Sequence, residues 1–137
     1  MISSVDSSVI LDVVTADPRH ADGSEEVLRR ASREGQIIAC ECVLAEIYPV
    51  FDGTDSFEEF LTDWQVDFVP SSRQSAILAG RHFAAYLARG GSRRRVAADF
   101  LIGAHAQTQA DRLVARDRGF LRDYFSGLQL LDPSSGT

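Results

Sequence analysis

Five short apolar runs, set between longer stretches with helical spacing, constrain this chain more than any other feature. The runs fall at residues 2–6, 37–40, 66–69, 112–115 and 128–131. Short strands alternating with helices indicate an open parallel sheet covered on both faces. The intervening punctuation agrees. A short helix over 8–14 is broken by Asp17-Pro18, and Ser24-Glu25-Glu26 reads as the capped start of a helix that Gly35 stops near residue 34. A helix from about Cys42 carries Val43, Leu44 and Ile47 and meets Pro49, and Phe57, Phe60, Leu61 and Trp64 recur at helical spacing. Ser72 caps a long helix with Ile77, Gly80, Ala84 and Leu87 on one face, ending at Gly90-Gly91. An Ala-rich helix covers 96–110, a turn and short helix cover 119–125, and 133–137 is a frayed tail after a single domain over 1–132. In the common strand order 3-2-1-4-5, strands one and four are neighbours, and ligand sites form beyond their carboxyl ends.

Bulk properties narrow the class. The 137 residues suffice for one core without disulfides, and no stretch approaches the roughly 18 apolar residues of a membrane helix. Cys40 and Cys42 are too few and too close for a disulfide framework or a zinc site, and read as reduced, mostly buried thiols. With no basic-then-apolar leader at the start, a cytoplasmic setting is expected. A net charge of −6 argues against a general nucleic-acid coat. All 14 basic residues are Arg, which removes Schiff-base lysines and the phosphate-loop lysine. Phosphate contacts must then come from Arg, backbone N–H groups or metal.

Four acids gather at the predicted carboxyl edge. Asp6 ends the first run, Asp117 follows the fourth, Glu46 lies early in the helix after the second, and Asp99 opens the helix leading into the fourth. Two carboxylates 5 Å apart repel by roughly 3 kcal/mol at an effective dielectric of 20. Four raise one another's pKa values unless a cation is present. All-carboxylate ligation suits Mg²⁺ or Mn²⁺, whereas Zn²⁺ recruits His or Cys. Such ions activate water and stabilise charge on a scissile phosphate, so the chain reads as a metal-dependent phosphodiesterase. The plain alternative for any single acid is a favourable position at a helix N-terminus.

Residues 5–12 (VDSSVILD), 44–48 (LAEIY), 99–106 (DFLIGAHA) and 116–120 (RDRGF) resemble the four motifs of the PIN-domain family. The nearest likeness is to VapC-type toxins of toxin–antitoxin systems. The resemblance covers essentially the whole chain. It implies an α/β/α sandwich, a Mg²⁺- or Mn²⁺-dependent endoribonuclease cutting RNA with metal-activated water, a homodimer and a cognate antitoxin. Asp6, Glu46, Asp99 and Asp117 match the family's catalytic acids, and Asp6, Asp99 and Asp117 are the metal ligands it implies. One departure stands out: the family often has Thr two positions before the last acid, and here it is Ala115, which leaves one or two bound ions open. The rival reading keeps the fold and drops the chemistry, as a PIN-like module that binds RNA or protein. Modules of that kind usually lose one of the acids, and this chain keeps all four.

Further residues carry smaller expectations. Ser7 serves either a metal-bound water or the cap of the helix that starts there. Arg93, Arg94 and Arg95, with Arg116 and Arg118, are candidates for RNA phosphate contacts. Asp12 reads as a solvated position, Glu41 as off the Glu46 face, and Asp123 as outward-facing. His105 reads as a packed histidine. Trp64 with Phe57 and Phe60 reads as core, with an exposed part available to a partner helix.

Overall fold

The computed structural model describes residues 1–92, 97–116 and 123–133. Five strands are present among them: β1 Ile2–Val5, β2 Gln36–Ala39, β3 Val66–Phe68, β4 Arg112–Val114 and β5 Leu130–Leu131. Six helices accompany them: α1 Ser7–Val14, α2 Ala21–Glu34, α3 Glu41–Ile47, α4 Thr54–Asp63, α5 Arg73–Ala88 and α6 Ala97–Gln109. The sheet order is β3-β2-β1-β4-β5, and every pairing is parallel. The expected order therefore holds; the first four strands end one residue before their apolar runs do, and β5 begins two residues into its run.

Connections from β1 to β2 and β2 to β3 travel one way along the sheet, and β3 to β4 travels back. Right-handed crossovers then place α1–α4 on one face and α5–α6 on the other, which is the α/β/α arrangement. Val5, Val9, Ile10, Leu28, Ile37 and Val43 fill one side of the core, and Ile102, Leu113 and Phe125 are as deeply buried. Gly103 is forced by that packing. A Cβ there would lie 2.6 Å from the Phe125 ring, so α6 sits closer to this residue than any side chain permits.

Two local readings change. Ser24 is not a cap, since α2 begins at Ala21. The Asp17 carboxylate accepts the N–H groups of Arg19 and His20 at 2.9 and 3.0 Å and so orders the turn before α2, whose N-cap, His20, makes no side-chain cap bond. On α5, Ser72 does cap, accepting from the Ser75 N–H at 3.0 Å. Its buried positions, however, are Ser75 and Ala79, and Ile77 is 46% exposed. The helix is rotated because Ser75 Oγ bonds Gln109 Oε1 at 2.6 Å and also Thr108 Oγ1, both on or just beside α6. Polar contacts thus outvote the Ile77–Leu87 stripe.

His105 on α6 is fully buried. Its Nε2 lies 2.8 Å from the Val69 carbonyl and its Nδ1 3.0 Å from Ser4 Oγ. A carbonyl only accepts, so Nε2 carries the proton and Nδ1 accepts from the hydroxyl, a neutral imidazole with both nitrogens used. Burial holds its pKa below the ordinary value. It is a core histidine joining α6, β1 and the end of β3.

Candidate metal centre

β1 ends at Val5, and its backbone continues through Asp6 into α1. Asp6 has extended dihedrals, φ −80° and ψ 150°, the conformation of a helix cap. Its carboxylate accepts from the Ser8 N–H at 3.3 Å and from the Ser8 hydroxyl. Two donors from one serine restrict the rotamer of an acid that is itself 5% exposed. The cap of α1 is therefore Asp6, and Ser7 is released from that duty. Ser7 Oγ instead donates to Glu46 Oε1 at 3.0 Å, tying the first turn of α1 to α3.

Asp99 is the third residue of α6 and half-buried in its first turn. α3 and α6, which carry Glu46 and Asp99, are in contact. On the sheet, Val5 pairs with Val114, and the Asp6 N–H donates to the Val114 carbonyl at 2.9 Å. The ends of β1 and β4 thus lie side by side. Asp117, Arg118, and Arg93, Arg94 and Arg95 fall outside the described residues. Arg116 is described, half-buried, and turned to Asp12, with Nε to Oδ2 at 3.0 Å and Nη2 to Oδ1 at 3.2 Å.

Asp12 overturns its reading as a solvated acid. It is 3% exposed and bonded also by Ser24 Oγ at 2.7 Å. A local signal existed: Asp12 lies among Val9, Ile10, Leu11, Val13 and Val14, and a lone acid in so apolar a helix requires a partner. Which partner supplies it is a long-range fact. Glu41 accepts from the Ser71 N–H at 2.8 Å, and so fastens the loop after β3 rather than joining Glu46. Asp123 is exposed, as read. His82 packs edge-on to Phe125, with ring centroids 4.6 Å apart, and burial lowers its pKa.

The chemistry of the donors suits a hard divalent ion. Asp6, Glu46 and Asp99 offer only carboxylate oxygens, and the thiols nearby are unsuited to ligation. Cys42 is pushed up to about 12, by burial first and then by the charges around it, including Glu46. Cys40 is raised as well, again chiefly by burial. Among the described residues, no three His, Cys, Asp or Glu side chains are gathered closely enough to hold a metal ion. The fourth acid of the motif set, Asp117, is not among those residues.

Away from this edge, α2, α4 and β3 border a groove of about 670 Å³ lined by Leu61, Trp64 and Phe68 among others. Trp64 packs on Phe60 and takes the Arg29 guanidinium over its ring at 5.2 Å. Phe57 is buried, as a core reading requires, whereas Phe68 is 52% exposed. No described helix is long and apolar enough to cross a membrane.

Comparison with known proteins places these features in a wider set. A family model described as PIN domain matches residues 4–125. No curated protein is matched by sequence. Among solved structures, VapBC2 from Rickettsia felis bound to a DNA fragment from its promoter superposes with a TM-score of 0.71 at 18% identity, over 96% of this chain and 98% of that one. VapBC-1 from nontypeable Haemophilus influenzae gives 0.71 at 15% identity, over 98% and 99%. A toxin–antitoxin complex from Klebsiella pneumoniae gives 0.63 at 14% identity, over 96% and 97%. At such identities the likeness establishes a shared fold.

Proposed function

The chain belongs to the PIN domain family, and from that premise we propose that it is a divalent-metal-dependent endoribonuclease, the toxin of a toxin–antitoxin pair. The observation that carries this reading is the Ser7–Glu46 bond beside the capped carboxylate of Asp6. It draws two of the family's acids, from α3 and from the end of β1, toward one edge of the sheet. In the proposed centre Asp6, Asp99 and Asp117 hold Mg²⁺ or Mn²⁺, and Glu46 completes the acidic set. The ion, when bound, supplies an activated water and neutralises charge on the scissile phosphate. This chain's own residues fix the arrangement: Ser8 locks the Asp6 rotamer, and Ser7 orients Glu46. Arg93, Arg94 and Arg95 are proposed to meet the RNA backbone.

Ala115, fully buried beside the end of β4, offers no hydroxyl at the rim of the centre. The partners proposed are a cognate antitoxin, supported by the toxin–antitoxin complex of the same fold, and, on the family resemblance alone, a second copy of the chain. Expression in cells without an antitoxin tests the pairing directly. Growth arrest relieved by Asp6→Asn supports the toxin reading, and harmless expression of a folded, RNA-cleaving protein contradicts it.

A further inference from the structure

The proposed centre leaves one buried acid unused. Asp12 sits on α1, six residues beyond Asp6, and a carboxylate so enclosed is costly unless its oxygens are bonded. Three bonds meet it: Ser24 Oγ and Arg116 Nε on Oδ2, and Arg116 Nη2 on Oδ1. The two from Arg116 form a fork-to-fork pair, a geometry that fixes direction as well as distance. Arg116 is the second residue past β4, whose end is held on both sides. The Asp6 N–H donates to Val114 O, and the Ala115 N–H donates to Leu131 O at 3.2 Å. The chain therefore leaves the sheet beside Asp6 with its first free side chain already clamped to α1, the helix that Asp6 caps.

We propose that the Asp12–Arg116 pair is a positioning device for the metal centre, fixing where the chain leaves β4 and thereby the affinity of the neighbouring carboxylates for a divalent ion. The inference rests on the reading of that edge as a metal centre. It gives Arg116 a role different from phosphate binding, because two of its nitrogens are committed to a buried acid. Ser24, inside α2, is part of the same device, holding the carboxylate oxygen that also takes Arg116 Nε.

The test is Mn²⁺ binding by the RNA-free protein, followed by titration calorimetry, with RNA cleavage kinetics alongside. Asp12→Asn, Arg116→Gln and Arg116→Lys are compared with wild type and with Asp6→Asn. Each of the first three should weaken Mn²⁺ by about 10-fold, the lower end of what supporting partners of metal ligands contribute. KM for RNA should not move. The Asp12→Asn/Arg116→Gln double variant should bind no more weakly than either single one, since both remove one coupled interaction. Arg116→Lys keeps an ionic partner for Asp12, so it folds even where Asp12→Asn does not, yet it lacks the fork. Wild-type Mn²⁺ affinity in folded Asp12→Asn and Arg116→Lys overturns the inference, while loss of binding in Asp6→Asn leaves the metal centre standing. A rise in KM for Arg116→Gln alone, with its salt dependence flattened by about one unit of slope, makes Arg116 a phosphate ligand and also overturns it. A wild-type protein that takes up no Mn²⁺ overturns both this inference and the centre beneath it.

Discussion

Ser7, the first residue of α1, donates its hydroxyl proton to Oε1 of Glu46 on α3 at 3.0 Å. Nothing local dictates this bond, because 39 residues separate the two. It exists because β1 and β2 are parallel neighbours, so the helices that follow them start at the same edge.

Removing that hydroxyl with Ser7→Ala should lower kcat by about 10-fold, since the hydroxyl orients a site acid rather than touching substrate. Stability should change by less than about 1 kcal/mol, because Glu46 is exposed and water replaces the lost donor. Single-turnover cleavage with parallel thermal melts checks both. A large fall in melting temperature would instead make Ser7 a structural residue.

His105 should be worth far more to the fold. His105→Ala leaves Ser4 Oγ and the Val69 carbonyl without their partner and opens a cavity in α6. The expected loss is about 3 kcal/mol, from two orphaned groups and the missing ring, measurable by denaturant unfolding. Catalytic parameters of the remaining folded protein should be unaltered.

The pH dependence of stability follows from the same residue, together with His82, whose pKa burial also lowers. Burial lowers the folded pKa of His105 below its ordinary 6.5, so the unfolded chain takes up the proton first. The stabilisation is complete above that value and is lost as pH falls below it. Glu34 adds a second, more acidic step. Its pKa is lowered chiefly by the hydrogen bond from Arg112, at 2.7 Å. That contribution is complete above the ordinary 4.5 and lost as pH falls through the lowered folded value. Melting temperatures from pH 7 to pH 3 should therefore fall in two stages, and Glu34→Gln should shrink the lower one, which Asp17 and Glu41 share because their pKa values are lowered too. An unchanged lower stage in Glu34→Gln contradicts the assignment.

The two thiols should be silent. With Cys42 pushed up to about 12 and Cys40 raised by burial, almost no thiolate exists near neutrality. Alkylation by iodoacetamide at pH 7.5 should be slow in the native protein and rapid in denaturant. Equal rates in both states would show the burial to be wrong.

The fold was legible in the sequence because its signals are local and repeat: five apolar runs, the Asp17-Pro18 break, the Ser72 cap. The PIN motifs added the positions of the acids, and Asp6 and Asp99 do lie where an element begins. What escaped was set by partners far along the chain. Ser24 looks like a helix start until Asp12, 12 residues earlier, claims its hydroxyl. Asp12 looks solvated until Arg116, 104 residues later, reaches it. The rotation of α5 likewise depends on Thr108 and Gln109, which no pattern within α5 announces.

The most direct test of the proposed activity is cleavage of single-stranded RNA by purified, antitoxin-free protein. Wild type should cut in Mg²⁺ or Mn²⁺, stop on full chelation with EDTA and resume when Mn²⁺ is restored. Asp6→Asn and Asp99→Asn should be folded and inactive, with equal or slightly higher stability as like charges are relieved. Cleavage that survives chelation, or wild-type rates in both variants, would contradict the account.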